Sequence, residues 1–599
     1  MNSQENITIF INGTKYQTQN GQSIMQAADH LGYSIPRLCY HPQLSVEGAC
    51  RICIVEIEGM KEFQASCSYP IQDGMRIHTN TTELRQARRD ILELILDNHP
   101  LDCHTCPKNG NCELQRLANI LGIEERHFEG ERKQYPIDDS SPAIIRNPNN
   151  CILCGRCVRV CSETQQIHAI GYAHRGFKTV VMPSYNQAFD KSVCINCGQC
   201  INICPTAAFT EKKQTDEVIR ILNNKDNITI AQIAPSVRIA IGESFGIESG
   251  HNFQQELTAA LKALGFDYVF DTQFGADMTI MEEAAELAER YFKGENLPLI
   301  TSCCPSWVKT AEQFHPDLLP HLSSCRSPMA MLASLTKGYL AKKNHWDLTK
   351  VVNIAITPCT AKKFESSREE LFLEKDIRCI DYALTTREIS WIIKSSGIDL
   401  SRMKGQDFDN PMGISSGAAS IVGTSGGVIE ATLRTFCEKY LDSALPPLQY
   451  HESRTTKGIK EATIVINDKK INIAVANGLK STHSLMDEIR RQKKHYDFVE
   501  IMACPGGCIG GGGQPYAASL NFFDQEKILQ KRSQALYAID SSINIHKSHE
   551  NPAVQQLYKE FLGTPLSELA NKLLHTQYSQ KIPCGIIPKE VIYDINHSK

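Results

Sequence analysis

The sequence predicts a multidomain protein of α/β and α+β character. A small β-rich module comes first, two cysteine-dense segments follow, and a large α/β domain fills most of the rest. Three observations predict this. The chain has 599 residues, more than one hydrophobic core usually organises. Its 24 cysteines are clustered, and six pairs have the form C-x-x-C. From about residue 213, largely apolar runs (228–233, 352–356, 471–475) alternate with helical stretches such as 278–293. The expected units are 1–80, 81–128, 129–212, 213–545 and 546–599.

Ile7, Ile9 and Ile11 alternate ahead of Asn12-Gly13, a hairpin signal. A helix is predicted from about Glu83 to Asp97, with apolar positions Leu84, Ala87, Ile91, Leu94 and Ile95 and an end just before His99-Pro100. Residues 99–112 are cysteine-dense, and 113–150 are polar with several prolines, as a connector would be. The last 50 residues read as amphipathic helix trailing into a short tail.

With 42% hydrophobic and 22% charged residues, the composition is that of a soluble globular protein, and the net charge of −4 leaves no basic field for nucleic acid or anionic membrane. No apolar run reaches the roughly 20 residues that span a bilayer. The start, MNSQENITIF, lacks a charged segment leading into an apolar one, and no twin-arginine signal appears, so a cytoplasmic location is expected. Disulfides are rare there, which assigns the cysteines to metal or redox chemistry.

The strongest internal signal is a repeat. Cys151-x2-Cys154-x2-Cys157-x3-Cys161 is matched by Cys194-x2-Cys197-x2-Cys200-x3-Cys204-Pro205, with Ser162 where the second block has its proline. This is the bacterial two-cluster ferredoxin pattern, in which the fourth cysteine of each run serves the other cluster. One [4Fe–4S] cluster takes Cys151, Cys154, Cys157 and Cys204, and the other takes Cys194, Cys197, Cys200 and Cys161; eight cysteines at these spacings disfavour zinc knuckles. Cys39-x10-Cys50-x2-Cys53-x13-Cys67 suits zinc or a [2Fe–2S] cluster, and its neighbours favour iron–sulfur. His99-x3-Cys103-x2-Cys106-x5-Cys112 suits zinc or a [4Fe–4S] cluster with one imidazole ligand; spacing leaves the choice open, and His104 is a rival ligand.

Three segments of the large domain carry chemistry: TSCCPSW (301–307), TPCTAKKFE (357–365) and MACPGGCIGGGGQP (502–515). Adjacent thiols such as Cys303 and Cys304 point to opposite sides of an extended segment, so one metal rarely takes both comfortably. Gly506 and Gly507 let the backbone between Cys504 and Cys508 curl close to a cluster. The four-glycine run at 510–513 lacks the Lys-Ser/Thr of a phosphate loop. Together the segments resemble the signatures of the [FeFe]-hydrogenases, and the order of N-terminal modules resembles the multi-cluster clostridial members, over roughly residues 1–575.

The resemblance implies a β-grasp [2Fe–2S] ferredoxin-like domain, a His-ligated [4Fe–4S] domain, a 2[4Fe–4S] ferredoxin-like domain and an H-cluster domain, followed by a helical segment and tail. It implies an H-cluster whose [4Fe–4S] cubane is held by Cys304, Cys359, Cys504 and Cys508, with Cys508 bridging to a diiron unit that carries CO, cyanide and azadithiolate. Cys303 then matches the thiol that exchanges protons with the azadithiolate amine. Lys362 donates to a cyanide, Glu365 supports Lys362, and Pro235, Ser236, Ser327, Met329, Thr357 and Met502 belong to the pocket. Glu283, Glu286 and Arg290 fall on one helix face, which alone would read as a solvated surface. The resemblance makes them a proton route from Arg290 and Glu286 through Ser323 and Glu283 to Cys303. The activity implied is 2H⁺ + 2e⁻ ⇌ H2, with electrons exchanged with ferredoxin or a similar small carrier and the diiron unit installed by maturation enzymes.

Two rivals are a related iron–sulfur protein without the diiron unit, acting in cluster assembly, and an electron-wiring subunit like that of respiratory complex I. The proton-carrying residues argue against the first and the three downstream segments against the second. No flavin or NAD fingerprint is present. Cys379, Cys437 and Cys584 read as plain thiols.

The sequence departs from hydrogen-producing members at Thr357 (Met is usual), Met329 (Gln), Val422 (Phe) and Cys325 (Ala). Cys325 is either a second redox-active thiol or small buried packing, the latter favoured. Changes around a metal unit tune its potential. Thr357→Met is therefore expected to shift the ratio of H2 oxidation to proton reduction; an unchanged ratio, measured by both assays on one preparation, counts against Thr357 as the cause of altered bias.

Overall fold

The computed structural model describes residues 6–582, apart from 126, 129, 454–457 and 517–523. The end of the tail, with Cys584, lies outside them. At the N-terminus the alternating isoleucines face inward from the strand Asn6–Ile11, which pairs antiparallel with Thr14–Gln19. Asn12 (φ 49°) and Gly13 (φ 83°) form the turn between them, the two left-handed residues that a type I′ hairpin demands. The sheet order is Thr14–Gln19, Asn6–Ile11, Arg76–His78, Ile54–Ile57, Gln64–Ala65, with the first and last thirds of the module joined in parallel. Helix Ile24–His30, opened by a Ser23/Gln26 capping box, closes over it as in a β-grasp.

Helix Thr82–Asp97 buries Leu84, Leu92 and Leu96. The stretch expected to be a connector contains a second helix, Glu113–Leu121, ended by left-handed Gly122. Leu114 and Leu117 drive it. Set three apart, they meet Leu92 and Leu96 in one small core. In the ferredoxin-like unit each cysteine run enters a short helix, Arg156–Arg159 or Gln199–Ile203, through a left-handed glycine, Gly155 or Gly198. The repeat in sequence is thus a repeat in space.

The large domain holds two sheets. One is four-stranded and parallel, in the order Tyr268–Asp271, Ile228–Ile233, Val351–Thr357, Tyr382–Thr385. The other runs Leu299–Ile300, Phe498–Met502, Lys469–Asn477, Ile459–Ile466, His451–Glu452; its first three strands are parallel. Helix Thr272–Lys293 starts six residues before the predicted stretch. It packs Phe274, Met278 and Met281 on Met331, Leu332 and Leu335, and Ala284, Leu287 and Ala288 on Ile429, Leu433 and Phe436. A helix covered on two sides is buried along most of its length, and its carboxylates are buried with it.

The C-terminal helices Asp524–Ser542, Pro552–Leu557 and Glu568–Leu574 are part of the body: Leu557, Leu562, Leu573 and Leu574 share a core with Phe274 and Met331. Among the described residues no helix is long and apolar enough to cross a membrane.

The ferredoxin-like unit meets the large domain at the glycine run. Gln199 and Asn202 donate to the carbonyls of Gly510 and Gly511 at 3.0 and 3.1 Å, and Thr360 Oγ1 donates to the Asn196 carbonyl at 2.7 Å. Arg387 spans the same seam, bonding Glu211 at 2.9 Å and the Gly512 carbonyl at 2.6 Å. A Cβ on Gly512 would overlap the Cys197 carbonyl and stand 2.7 Å from Gly198 Cα, backbone that has nowhere to retreat. Gly512→Ala is expected to destabilise by about 1–3 kcal/mol, read as a lower apparent melting temperature and faster limited proteolysis near residue 212. Gly171→Ala, with nothing within 4 Å, is the control that leaves both unchanged.

Candidate active site and metal centres

The three motif segments leave the carboxyl ends of parallel strands: Cys303 and Cys304 follow Leu299–Ile300, Cys359 follows Val351–Thr357, and Cys504 and Cys508 follow Phe498–Met502. In open parallel sheets that edge is where loops converge. Here loops from both sheets close on one cavity of about 100 Å³ lined by all five cysteines.

Burial dominates the chemistry of these thiols. Burial, then the charges of Cys304 and Lys362, leaves Cys359 pushed up to about 12; Cys508 likewise stands at about 12. Four buried thiols that resist ionising require a cation to become ligands, and a coordinated thiol is deprotonated outright. Glycine gives the cluster room: Gly507 (φ 93°) presses on Ser425 N, 2.8 Å from where a Cβ would sit, and a Cβ on Gly511 would overlap the Pro358 carbonyl. The donor set and cradle fit a [4Fe–4S] cubane.

The adjoining wall is apolar with a few polar groups. Pro235, Ser236, Met329, Thr357, Met502 and Val422 line it. Buried Ser236 Oγ has no hydrogen-bond partner among the described residues, so this wall has a donor to offer a polar ligand. Lys362 Nζ lies 2.6 Å from Glu365 and 3.4 Å from the Cys303 carbonyl. Against the downward pull of burial, the Glu365 carboxylate holds Lys362 above its ordinary value, so it stays cationic in the cavity. These groups fit a small anionic-liganded unit beside the cubane. Ser327 and Glu365 do not line the cavity. Ser327 caps helix Pro328–Leu335 by accepting from Ala330 N, which turns Pro328 and Met329 inward, and Glu365 stands behind Lys362.

A hydrogen-bonded chain leads from the surface toward this site, and its last member, Glu283, acts on Cys303 electrostatically. Arg290 Nη2 is 2.6 Å from Glu286 Oε1, and Ser323 Oγ donates to Glu286 Oε2 at 2.9 Å. Glu283 bonds Ser323 and takes a 3.4 Å bond from Thr432 Oγ1. Burial first, and the Glu286 charge second, push Glu283 up to about 8, so it carries a proton at neutral pH. Burial and Glu283 together raise Cys303 well above an ordinary thiol.

The structure adds groups that sequence patterns missed. Glu500, fully buried, bonds the amides of Gly426 and Ile429 at 2.6 and 2.9 Å and acts electrostatically on Cys303 and Cys508. Its signal was a carboxylate inside the apolar strand Phe498–Met502. Cys325 is buried with its thiol 3.9 Å from Glu286 Oε2, and His575 from the C-terminal segment stands beside it. Nothing in the local sequence of His575 points to this.

The remaining cysteines gather as their spacing implied. Cys39 and Cys67 donate to Cys50 and Cys53, bringing them down to about 7 and 6 despite burial, and Cys39 also acts on Cys53, so the four share one site. His99, Cys103, Cys106 and Cys112 line one cavity. His99 Nδ1 is buried without a hydrogen-bond partner among the described residues, the condition of an imidazole awaiting a metal. His104 is exposed and absent from that cavity wall. Cys157 is acted on by Cys154, Cys151 and Cys204 ahead of Cys200, and Cys200 by Cys197, Cys194 and Cys161 ahead of Cys204, an order that fits the crossed pattern.

Spacing between sites is short. Arg159 bonds the carbonyls of Cys39 and Cys154 at 2.6 and 3.2 Å. Arg156, inside the first cysteine run, donates to Glu113 Oε1 at 2.8 Å. Cys197 acts on Cys504, and Cys359 on Cys197. Both N-terminal sites therefore abut the first ferredoxin block, and the second block abuts the large-domain cysteines.

Residues 227–512 match the family model of the iron only hydrogenase large subunit, C-terminal domain, and 526–581 that of the iron hydrogenase small subunit. Ahead of these, 4–82 match a 2Fe-2S iron-sulfur cluster binding domain, 88–127 the NADH-ubiquinone oxidoreductase-G iron-sulfur binding region, and 150–208 a 4Fe-4S dicluster domain. The chain is 41% identical to the NADP-reducing hydrogenase subunit HndD of Solidesulfovibrio fructosivorans over 96% of its own length and 99% of that protein. It is 38% identical to iron hydrogenase 1 of Clostridium pasteurianum over 96% and 100%, and 30% identical to the bovine cytosolic iron-sulfur assembly component 3 over 59% and 75%. Among solved structures, an [FeFe]-hydrogenase from Chlamydomonas reinhardtii superposes with TM-score 0.56 at 38% identity, covering 62% of this chain and 99% of that one.

Glu283 also makes stability depend on pH. Its folded-state pKa, about 8, lies above the ordinary 4.5, so the folded chain binds more protons between those values and loses stability as pH rises through them. Glu283→Gln removes this penalty. The melting temperature of the variant minus that of the wild type is expected to increase from pH 5 to pH 8; a flat difference means that Glu283 is not held protonated.

Proposed function

The chain belongs to the iron-only hydrogenase family, and from that premise we propose that it interconverts protons and H2 at an H-cluster that Cys304, Cys359, Cys504 and Cys508 would hold. When bound, that cofactor supplies the diiron chemistry and the amine at which protons are exchanged. The residues supply position, charge and protons. Lys362, kept cationic by Glu365, offers a charge-assisted bond to a cyanide ligand, and Ser236 Oγ offers a second donor. Protons enter at Arg290 and Glu286, pass through Ser323 Oγ to Glu283, which holds one at neutral pH, and reach the Cys303 thiol. The apolar wall of Met329, Thr357, Val422 and Met502 excludes water from the end of this route.

Cys39, Cys50, Cys53 and Cys67 would hold one [2Fe–2S] cluster, His99, Cys103, Cys106 and Cys112 a [4Fe–4S] cluster, and the ferredoxin-like unit two more, which would supply a path for electrons. The contacts at Arg159 and Glu113 make the first ferredoxin block the junction of the two N-terminal sites. We read the small-subunit unit as beginning with helix Asp524–Ser542. Maturation enzymes would install the diiron unit.

One observation supports this reading: buried Glu286, Ser323 and Glu283 lead toward Cys303, on which Glu283 acts electrostatically, beside four thiols converging on one cavity. An assembly factor such as the bovine relative's name describes has no use for such a relay. Reduced ferredoxin is the proposed carrier. A second reading is favoured by the relative named as a subunit of an NADP-reducing hydrogenase: electrons would arrive from a nucleotide-oxidising partner chain. Ferredoxin supporting H2 evolution by the isolated chain supports the first; activity only after adding such a partner and NADPH supports the second.

Infrared spectra of matured protein should contain CO and cyanide stretching bands, and their absence would sink the proposal. Cys303→Ser is expected to keep those bands and lose at least about 100-fold in turnover, whereas Cys304→Ser is expected to lose the bands.

A further inference from the structure

Beside the relay, and sharing Glu286 with it, lies a cluster whose other two members the proposed reaction does not use. Glu286 on helix Thr272–Lys293, Cys325 ahead of helix Pro328–Leu335 and His575 at the end of helix Glu568–Leu574 place one oxygen, one sulfur and one nitrogen within 4.8 Å of one another. All three are buried. The backbones of Cys325 and His575 are held together as a β-bridge. We propose that these three side chains form a binding site for a thiophilic divalent cation, zinc foremost, and that its occupation interrupts proton delivery at Glu286.

The donor set is the mixed nitrogen, sulfur and oxygen set that zinc accepts with a fourth position open to water. Ligand distances of about 2.0–2.3 Å put tetrahedral donors roughly 3.3–3.8 Å apart, so the present spacing closes with small side-chain shifts; Cys325 Sγ already lies 3.9 Å from Glu286 Oε2. His575 is set up for the role. Its Nε2 is 3.1 Å from Glu282 Oε2, a fully buried carboxylate that also accepts from Tyr558 Oη at 2.6 Å and Leu566 N at 2.8 Å. With its oxygens receiving donors, Glu282 fixes the proton on Nε2 and leaves the Nδ1 lone pair facing Ser324 Oγ at 2.8 Å, the carboxylate–histidine arrangement found behind metal ligands.

Binding exchanges the Cys325 thiol proton for the cation, so one proton is released; the two charges of the cation and that of Arg290 then face the Cys325 thiolate, the Glu286 carboxylate and, behind His575, the Glu282 carboxylate. Arg290 need not leave. It holds Glu286 through Oε1 and is anchored by the carbonyls of Asn296, Pro320, His321 and Leu322 at 3.0–3.2 Å. The cation would take Oε2, the oxygen to which Ser323 donates. Losing that bond breaks the relay at one atom. This consequence rests on the relay proposed above; the binding itself does not.

The test uses the full chain with its iron–sulfur clusters assembled and no diiron maturation. After zinc chloride and desalting, about one zinc per chain is expected, with a zinc-edge X-ray absorption shell of one sulfur and the rest nitrogen and oxygen. Cys325→Ala and His575→Gln are each expected to weaken retention by at least about 10-fold. No retained zinc, a four-sulfur shell, or equal retention in both variants would overturn the site. In matured protein, zinc should inhibit proton reduction, with the half-inhibitory concentration at least about 10-fold higher in Cys325→Ala. Bound zinc without inhibition overturns the blocking claim. Matured protein inactive even without zinc would be a failure of the proposed function, and the zinc count and shell would still decide the site.

Discussion

Burial keeps a thiol from ionising unless a cation or a hydrogen-bond donor meets it, and at the candidate active site this constraint governs the cysteines. The cysteines at the carboxyl ends of the two sheets lie out of water, and burial holds Cys359 and Cys508 near 12. To act as ligands they would need a bound cation, and one centre requires that three loops arrive at one point together. The two parallel sheet regions exist in that sense to deliver loop ends. The glycines at 507, 511 and 512 are where the chain must touch the cluster, the Pro358 carbonyl or the ferredoxin-like unit with no room for a Cβ.

A second constraint follows from the first. A dry site must be supplied with protons, yet unpartnered charge inside a protein is expensive. The helix Thr272–Lys293 resolves this by giving each buried carboxylate a distinct condition. Glu286 is paired with Arg290, Glu282 with Tyr558 and His575, and Glu283 keeps its proton. Neutral and paired groups alternate along the route, which lets charge move without resting unpaired. The C-terminal helices complete the enclosure, and the relay depends on chain far from it in sequence.

Much of the metal chemistry was legible because metal ligation is local. The eight ferredoxin cysteines, the adjacent Cys303-Cys304 pair and the Pro-Gly-Gly turn between Cys504 and Cys508 are short-range patterns whose spacing the backbone translates directly into geometry. The hairpin at Asn12-Gly13 and the helix at Thr82–Asp97 were legible for the same reason. The helix Glu113–Leu121 was not, because two leucines in a polar stretch become meaningful only when Leu92 and Leu96 face them.

By itself, then, the sequence determined which residues can be ligands, that a strand over 352–356 leads to Cys359, and that Cys303 and Cys304 point to opposite sides of an extended segment. Tertiary structure alone decided which side chains surround them. It moved Ser327 behind the cavity wall, put Glu500 within electrostatic reach of Cys303, and set Cys325 and His575, 250 residues apart in the chain, on either side of Glu286. Such contacts follow from how helices stack in the core, and packing depends on the shapes of partners that no local spacing encodes.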